Sequence, residues 1–134
     1  MTANDEQVGD GAHGLEHGQP TYLQIPAIDL MRSAAFYEAV FGWIIERPRP
    51  SFMAPGMFGQ WIDDRRPSSP DAGMMLWIHV DDIEEALERV RSHDGEVLET
   101  PSPDGPTRML ATIRDPGGNP IGLVQRSVQR SPPG

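Results

Sequence analysis

"RDPGGNPIGLVQ", residues 114–125, reads as a tight turn feeding a β-strand. Asp115 followed by Pro116 suits the opening of a type I turn. Ile121 and Leu123 then alternate with Gly122 and Val124, the period of a strand with one buried face. Gly122 is the odd member, because glycine weakens a strand and brings no side chain to pack. "APGMFGQWI", residues 54–62, has the same form, with Gly56 at a turn and Gly59 inside the strand that follows. Two such turn-and-strand units in one chain point to an internal repeat.

Working back from each unit recovers the rest of the repeat. The strand-like run "TYLQIPA" (21–27) precedes Asp29 and "LMRSAAFYEAVF", in which Leu30, Ala34, Tyr37 and Phe41 share one helical face that Gly42 terminates. The run "MMLWIHV" (74–80) precedes Asp82 and "IEEALERVRSH", in which Ile83, Ala86, Leu87 and Val90 share a face and Gly95 supplies the stop. Asp82 with Glu85 has capping-box spacing. The capping aspartates Asp29 and Asp82 stand 53 residues apart. Short strand-like runs follow each helix: "WIIERP", "SFM" and "MFGQWID", then "EVLET", "TRMLATIRD" and "NPIGLVQ". Pro48, Pro50 and Pro55 confine pairing in the first set to an edge. The expected class is therefore α+β, with two βαβββ modules (20–63 and 73–127) in a domain spanning 19–127, a connector at 64–72, and disordered tails at 1–18 and 128–134.

Composition narrows the partners. A formal charge of −9, from 20 acidic against 11 basic residues, repels nucleic acid and acidic membranes. It favours neutral or cationic ligands. With no cysteine there is neither a disulfide framework nor a thiolate metal site. The N-terminal residues carry no basic patch followed by an apolar run, and "GMMLWIHV" is too short to cross a bilayer. A soluble, cytoplasmic protein is expected.

The repeat, with "FYEAVFGW" in its first half and "RDPGGNPIGLVQ" at its end, resembles the vicinal oxygen chelate superfamily of glyoxalase I, bleomycin-resistance proteins and extradiol dioxygenases. The resemblance spans about residues 20–127. It implies modules whose sheets curl into a ligand-holding cup with helices outside, and single-domain members that pair as homodimers. Metal-using members place four ligands, often His, Glu, His and Glu, on the first and last strands of the modules. Those positions fall here on Tyr22, on Gly59 or its neighbour Gln60, on Met75 and on Gly122. No such position carries an imidazole or carboxylate, so the expectation is no metal and no cofactor. Gly59 and Gly122 then either leave open space in the cup or accommodate curvature.

Alternation assigns the faces. Leu23, Ile25, Leu76, Ile78, Val80, Met109, Ala111, Ile113, Ile121 and Leu123 suit the helix side. The cup side receives Tyr22, Gln24, Gly59, Trp61, Met75, Trp77, His79, Arg108, Leu110, Thr112, Gly122 and Val124, with Gln60 if the strand is shifted. This lining is aromatic with a few polar handles, the character of a small-molecule pocket or, equally, of a dimer interface. His79, Tyr22 and Arg108 are the candidates for acid–base catalysis. His13 and His17 have metal-ligand spacing, but glycines and Pro20 around them disfavour the helix that would join them. His93 suits the negative end of the second helix. The leading functional expectation is metal-independent binding of a small, apolar or aromatic molecule, as in ligand or drug sequestration. The alternatives are a superfamily enzyme (a metal-dependent lyase or dioxygenase, or a metal-free isomerase-type catalyst) and an interaction module whose cup a partner fills.

Overall fold

A computed structural model describes residues 15–126. Ten elements follow in the order β1 (Tyr22–Pro26), α1 (Leu30–Phe41), β2 (Ile44–Ile45), β3 (Ser51–Ala54), β4 (Met57–Ile62), β5 (Leu76–His79), α2 (Ile83–Ser92), β6 (Glu96–Pro103), β7 (Arg108–Arg114) and β8 (Pro120–Arg126). They form an α+β fold with two mixed four-stranded sheets, ordered β1-β4-β3-β2 and β5-β8-β7-β6. In each, the first strand of the repeat runs parallel to the last, and the remaining pairs are antiparallel. The expected tails fall outside the described residues except for 15–18.

Local chemistry sets the helix ends. The Asp29 carboxylate accepts from Arg32 N at 3.1 Å and the Asp82 carboxylate from Glu85 N at 3.1 Å, so each aspartate satisfies an orphan helix donor. Gly42 ends α1 in the left-handed conformation at φ 72° and returns its N–H to Glu38 O. Gly95 is not the cap of α2 that the sequence suggests. The helix stops at Ser92 with His93 as cap, Asp94 takes the positive φ of 71°, and Gly95 donates back to Val90 O.

One core joins the two halves. Ile25, Phe36, Tyr37, Trp43, Phe52 and Trp61 from the first pack in a continuous cluster with Val80, Ile83, Leu87, Val90, Ile113 and Leu123 from the second. Its aromatic part is layered: Tyr37 stacks on Trp43 with ring centres 4.8 Å apart, and Trp43 stacks on Phe52 at 4.6 Å.

The register overturns two face assignments. Ile25 pairs with Trp61 and Leu23 with Gly59, so Trp61 and Gly59 lie on the helix side. Trp61 is 1% exposed, a core residue and not part of a cup lining. The alternation was right but shifted by one residue, because the Pro55–Gly56 turn is one residue shorter than its counterpart at 116–118. Gln60, paired with Gln24, is the β4 residue that faces away from the helices.

The glycines are also not open space. A Cβ on Gly59 would stand 2.3 Å from Phe52 Cζ and 2.2 Å from the Leu23 carbonyl oxygen, and one on Gly122 would stand 2.2 Å from Trp77 Cε3. Each glycine is therefore the floor on which a neighbouring strand's aromatic ring lies. Phe52 is 1% exposed and has nowhere to go, whereas Trp77 is 45% exposed and can swing outward. Gly59→Ala should accordingly lose about 3 kcal/mol, the upper range for overpacking, while Gly122→Ala should lose no more than about 1 kcal/mol. Urea denaturation followed by circular dichroism checks the order.

Candidate functional site

The most heavily bonded polar group in the described residues sits where the two halves meet. Asp115, at the head of the β7–β8 turn, is almost fully buried. Its Oδ1 accepts from Gly117 N at 2.9 Å and Asn119 N at 2.8 Å, and its Oδ2 accepts from the Asn119 side-chain amide at 2.8 Å and from the Tyr37 hydroxyl at 2.6 Å. Asn119 Nδ2 also donates to Pro26 O, at 2.7 Å, at the end of β1. Gly117 permits this approach, since a Cβ there would be 2.6 Å from the same carbonyl. The "RDPGGNP" turn is thereby fastened to both α1 and β1 of the other half.

Burial, then the charge of Asp115 and its hydrogen bond, pushes the Tyr37 phenol well above its ordinary value of 10.0. Burial also raises Asp115 above 3.8, opposed by the hydrogen bonds it accepts from Tyr37, Asn119 and Gly117. This site is structural: its groups are enclosed, and no side chain of it reaches solvent.

On the face of the first sheet opposite the helices, register lines up two rows. Tyr22 pairs with Phe58, Phe58 with Met53 and Met53 with Ile44, an apolar row across all four strands. Tyr22, Phe58 and Ile44 are each more than half exposed. Beside it runs a polar row, in which Gln24 pairs with Gln60 and Gln60 with Ser51. The Tyr22 hydroxyl donates to Gln60 Oε1 at 3.0 Å, linking the rows. Two shallow depressions lie here, one of about 320 Å³ bounded by Tyr22, Arg49, Phe58 and Gln60, and one of about 460 Å³ bounded by Gln24, Gln60, Asp64 and Arg65.

The other sequence-predicted site residues lie elsewhere. Met75 and Thr112 border a depression of about 160 Å³ with Leu98 and Glu99, and Thr112 Oγ1 donates to Glu99 Oε1 at 3.1 Å. Trp77 lies over Gly122 and, with His79, borders an apolar groove of about 420 Å³. Arg108 pairs with Asp104 at 3.0 Å. His79 Nε2 is 3.1 Å from the exposed Asp81 carboxylate, and His93 Nδ1 is 3.0 Å from Arg89 O. The predicted residues thus lie on two sheet faces, Tyr22, Gln24 and Gln60 on the first and Trp77, His79, Arg108, Thr112 and Gly122 on the second, while Gly59 and Trp61 lie on the helix side. Of the three catalytic candidates, Tyr22 borders the depression of about 320 Å³ and His79 the groove of about 420 Å³.

The positions at which metal-using relatives of the resembled superfamily hold an ion present a phenol, an amide, a thioether and a glycine: Tyr22, Gln60, Met75 and Gly122. That donor set does not fit zinc, nickel or iron(II), which take imidazole and carboxylate. Among the described residues no three His, Cys, Asp or Glu side chains gather as a metal site. His13 lies outside the described residues, so the His13/His17 pair is not placed. No described helix is long and apolar enough to cross a membrane.

A family profile described as the Glyoxalase/Bleomycin resistance protein/Dioxygenase superfamily matches residues 19–123, and the chain belongs to that superfamily. A glyoxylase-like domain-containing protein from Didymella fabae is 31% identical over 93 residues, covering 61% of this chain and 73% of the relative. Among solved structures, a family enzyme from Burkholderia phytofirmans superposes with a TM-score of 0.67 at 15% identity, covering 81% of this chain and 98% of that one. TnmS3, an antibiotic-binding protein from a Streptomyces species, gives a TM-score of 0.62 at 21% identity with 85% and 98% coverage. Lactoylglutathione lyase from Agrobacterium tumefaciens gives 0.57 at 21% identity with 81% and 93% coverage. At these identities the structures share the fold; both a binder and an enzyme use it.

The fastening at Tyr37 yields a pH-dependent expectation. Its folded pKa lies above the unfolded one, so the neutral phenol's contribution is intact below pH 10.0 and is lost as pH rises through the folded value. Tyr37→Phe should lower stability by about 1–3 kcal/mol at pH 7, because Asp115 then keeps a buried acceptor with one donor fewer. The gap between variant and wild type should narrow above pH 10, since phenylalanine does not titrate. Urea midpoints at pH 7 and 10.5 measure both.

Proposed function

We propose that this chain is a metal-independent small-molecule-binding protein whose ligand lies against the helix-free face of the first sheet. The observation that carries the reading is the exposed row Tyr22–Phe58–Met53–Ile44 beside the amides of Gln24 and Gln60. Contiguous exposed aromatic and aliphatic side chains on a sheet face mark a surface that something covers. A flat apolar or aromatic molecule would bury against the row. Gln60 would orient it, since Tyr22 engages only its carbonyl oxygen and the amide N–H groups stay available.

The depressions on this face are shallow, so the opposing wall is proposed to come from a second copy, giving a homodimer with its ligand between sheets. The likeness to an antibiotic-binding protein agrees with a sequestering role. The donor chemistry at Tyr22, Gln60, Met75 and Gly122 speaks against a metal-dependent lyase or dioxygenase. The overall charge of −9 favours a neutral or cationic ligand. A cytoplasmic location is part of this proposal.

In a thermal-shift panel of neutral and cationic polycyclic aromatics, at least one compound should raise the melting temperature of the wild type and fail to do so with Tyr22→Ala and Phe58→Ala. Nickel, zinc or iron(II) should leave the melting temperature unchanged; a metal-dependent rise of several degrees would refute the reading. Phe58→Arg should convert a dimer to a monomer in sedimentation velocity.

A further inference from the structure

The internal repeat is asymmetric at one point, and the asymmetry leaves a cavity. Asp29 and Asp82 both cap helices, and Ala27 N donates to Ile62 O at 2.8 Å just as Val80 N donates to Val124 O at 3.0 Å. The same correspondence, carried through the strand registers, equates Tyr37 with Val90, Ala54 with Asp115, Met57 with Asn119, and Pro26 with His79. In one half, the long turn 115–119 reaches across and fastens to Pro26 and Tyr37. In the other half, the turn Pro55–Gly56 is one residue shorter than its equivalent 116–118, and the equivalent residues Ala54, Met57 and Val90 have no polar side chain to fasten with.

Beside that short turn lies the groove of about 420 Å³. It is walled by Ala54 and Met57 on the β3–β4 hairpin, by Leu76 and Trp77 on β5, and by Trp43 and Phe52. Ala54, Met57 and His79, the equivalents of Asp115, Asn119 and Pro26, all border it, so it opens where the other half has that polar fastening. Its aromatic wall is rigid, because Trp43 is stacked between Tyr37 and Phe52 with interplanar angles of 25° on both sides. Among the described residues, the only ionisable side chain at its border is His79, which is already paired with Asp81.

We infer that this groove is a second binding site, distinct from the helix-free face, for a flat, uncharged apolar or aromatic small molecule. The volume falls within the range of ligand pockets and suits a molecule on the order of two or three fused or linked rings. A charged ligand would be left without a counter-charge on this lining, and a peptide would extend past its walls. Tyr22 and Gln60 take no part, so the two sites can be inactivated separately.

N-Phenyl-1-naphthylamine, neutral and fluorescent in apolar surroundings, serves as the probe. The full chain should give a saturable fluorescence increase with one probe per chain. Tyr22→Ala should leave this titration unchanged, whereas Ala54→Trp, which fills the groove, should weaken it at least tenfold. Met57→Lys, which places a charge at the mouth on a partly exposed residue, should weaken it similarly if the tryptophan variant fails to fold. The inference is overturned if the wild type shows no saturable increase, or if Tyr22→Ala abolishes the signal. It is equally overturned if both groove variants bind normally, or if they dissociate a dimer without altering probe binding, which would make the groove a subunit contact.

Discussion

The hydrogen bond from the Tyr37 hydroxyl to the Asp115 carboxylate is the constraint around which the molecule is organised. Each βαβββ half has one sheet and one helix, too little apolar surface to close a core alone. The halves must therefore bury the faces that carry their helices against one another, and Asp115 is enclosed at that junction. A buried carboxylate is tolerable only when its oxygens are fully occupied, and here Tyr37, Asn119 and two backbone amides occupy them. The same aspartate that shapes the turn thus also registers the second half on the first.

Once the helix-bearing faces are joined, the opposite faces are left to solvent. That consequence explains why Tyr22, Phe58 and Ile44 are exposed while Trp61 and Phe52, on the same strands or their neighbours, are not. It also explains the glycines. At the centre of a sheet, an aromatic ring from one strand can lie flat only where the adjacent strand has no side chain. Gly59 provides that bed for Phe52 inside the core, and Gly122 provides it for Trp77 on the outside.

Binding chemistry follows from what these faces carry. They offer ring surfaces, thioethers and amides, with charged groups set at the margins and mostly paired, as Arg108 is with Asp104 and Arg114 with Glu96. Such surfaces hold a ligand by area and orient it by a few hydrogen bonds, in contrast to a site that polarises a substrate through an ion. The superfamily's scaffold accommodates both modes, and the side chains on its inner strands decide between them.

The repeat, both helices, the capping roles of Asp29 and Asp82 and the order of strands were legible in the sequence, because they depend on local periodicity and on residues with singular backbone preferences. That the positions equated with the superfamily's metal ligands carry neither imidazole nor carboxylate followed from the resemblance and the residues standing there, not from periodicity. Tertiary structure alone decided which face Trp61 takes, since a turn shorter by one residue moves β4 by one register step and inverts every side chain on it. It alone also showed that Gly122 underlies Trp77, and that Tyr37 reaches Asp115 across 78 residues of chain. Those facts depend on distances between segments that packing brings together, and such distances leave no trace in local sequence pattern.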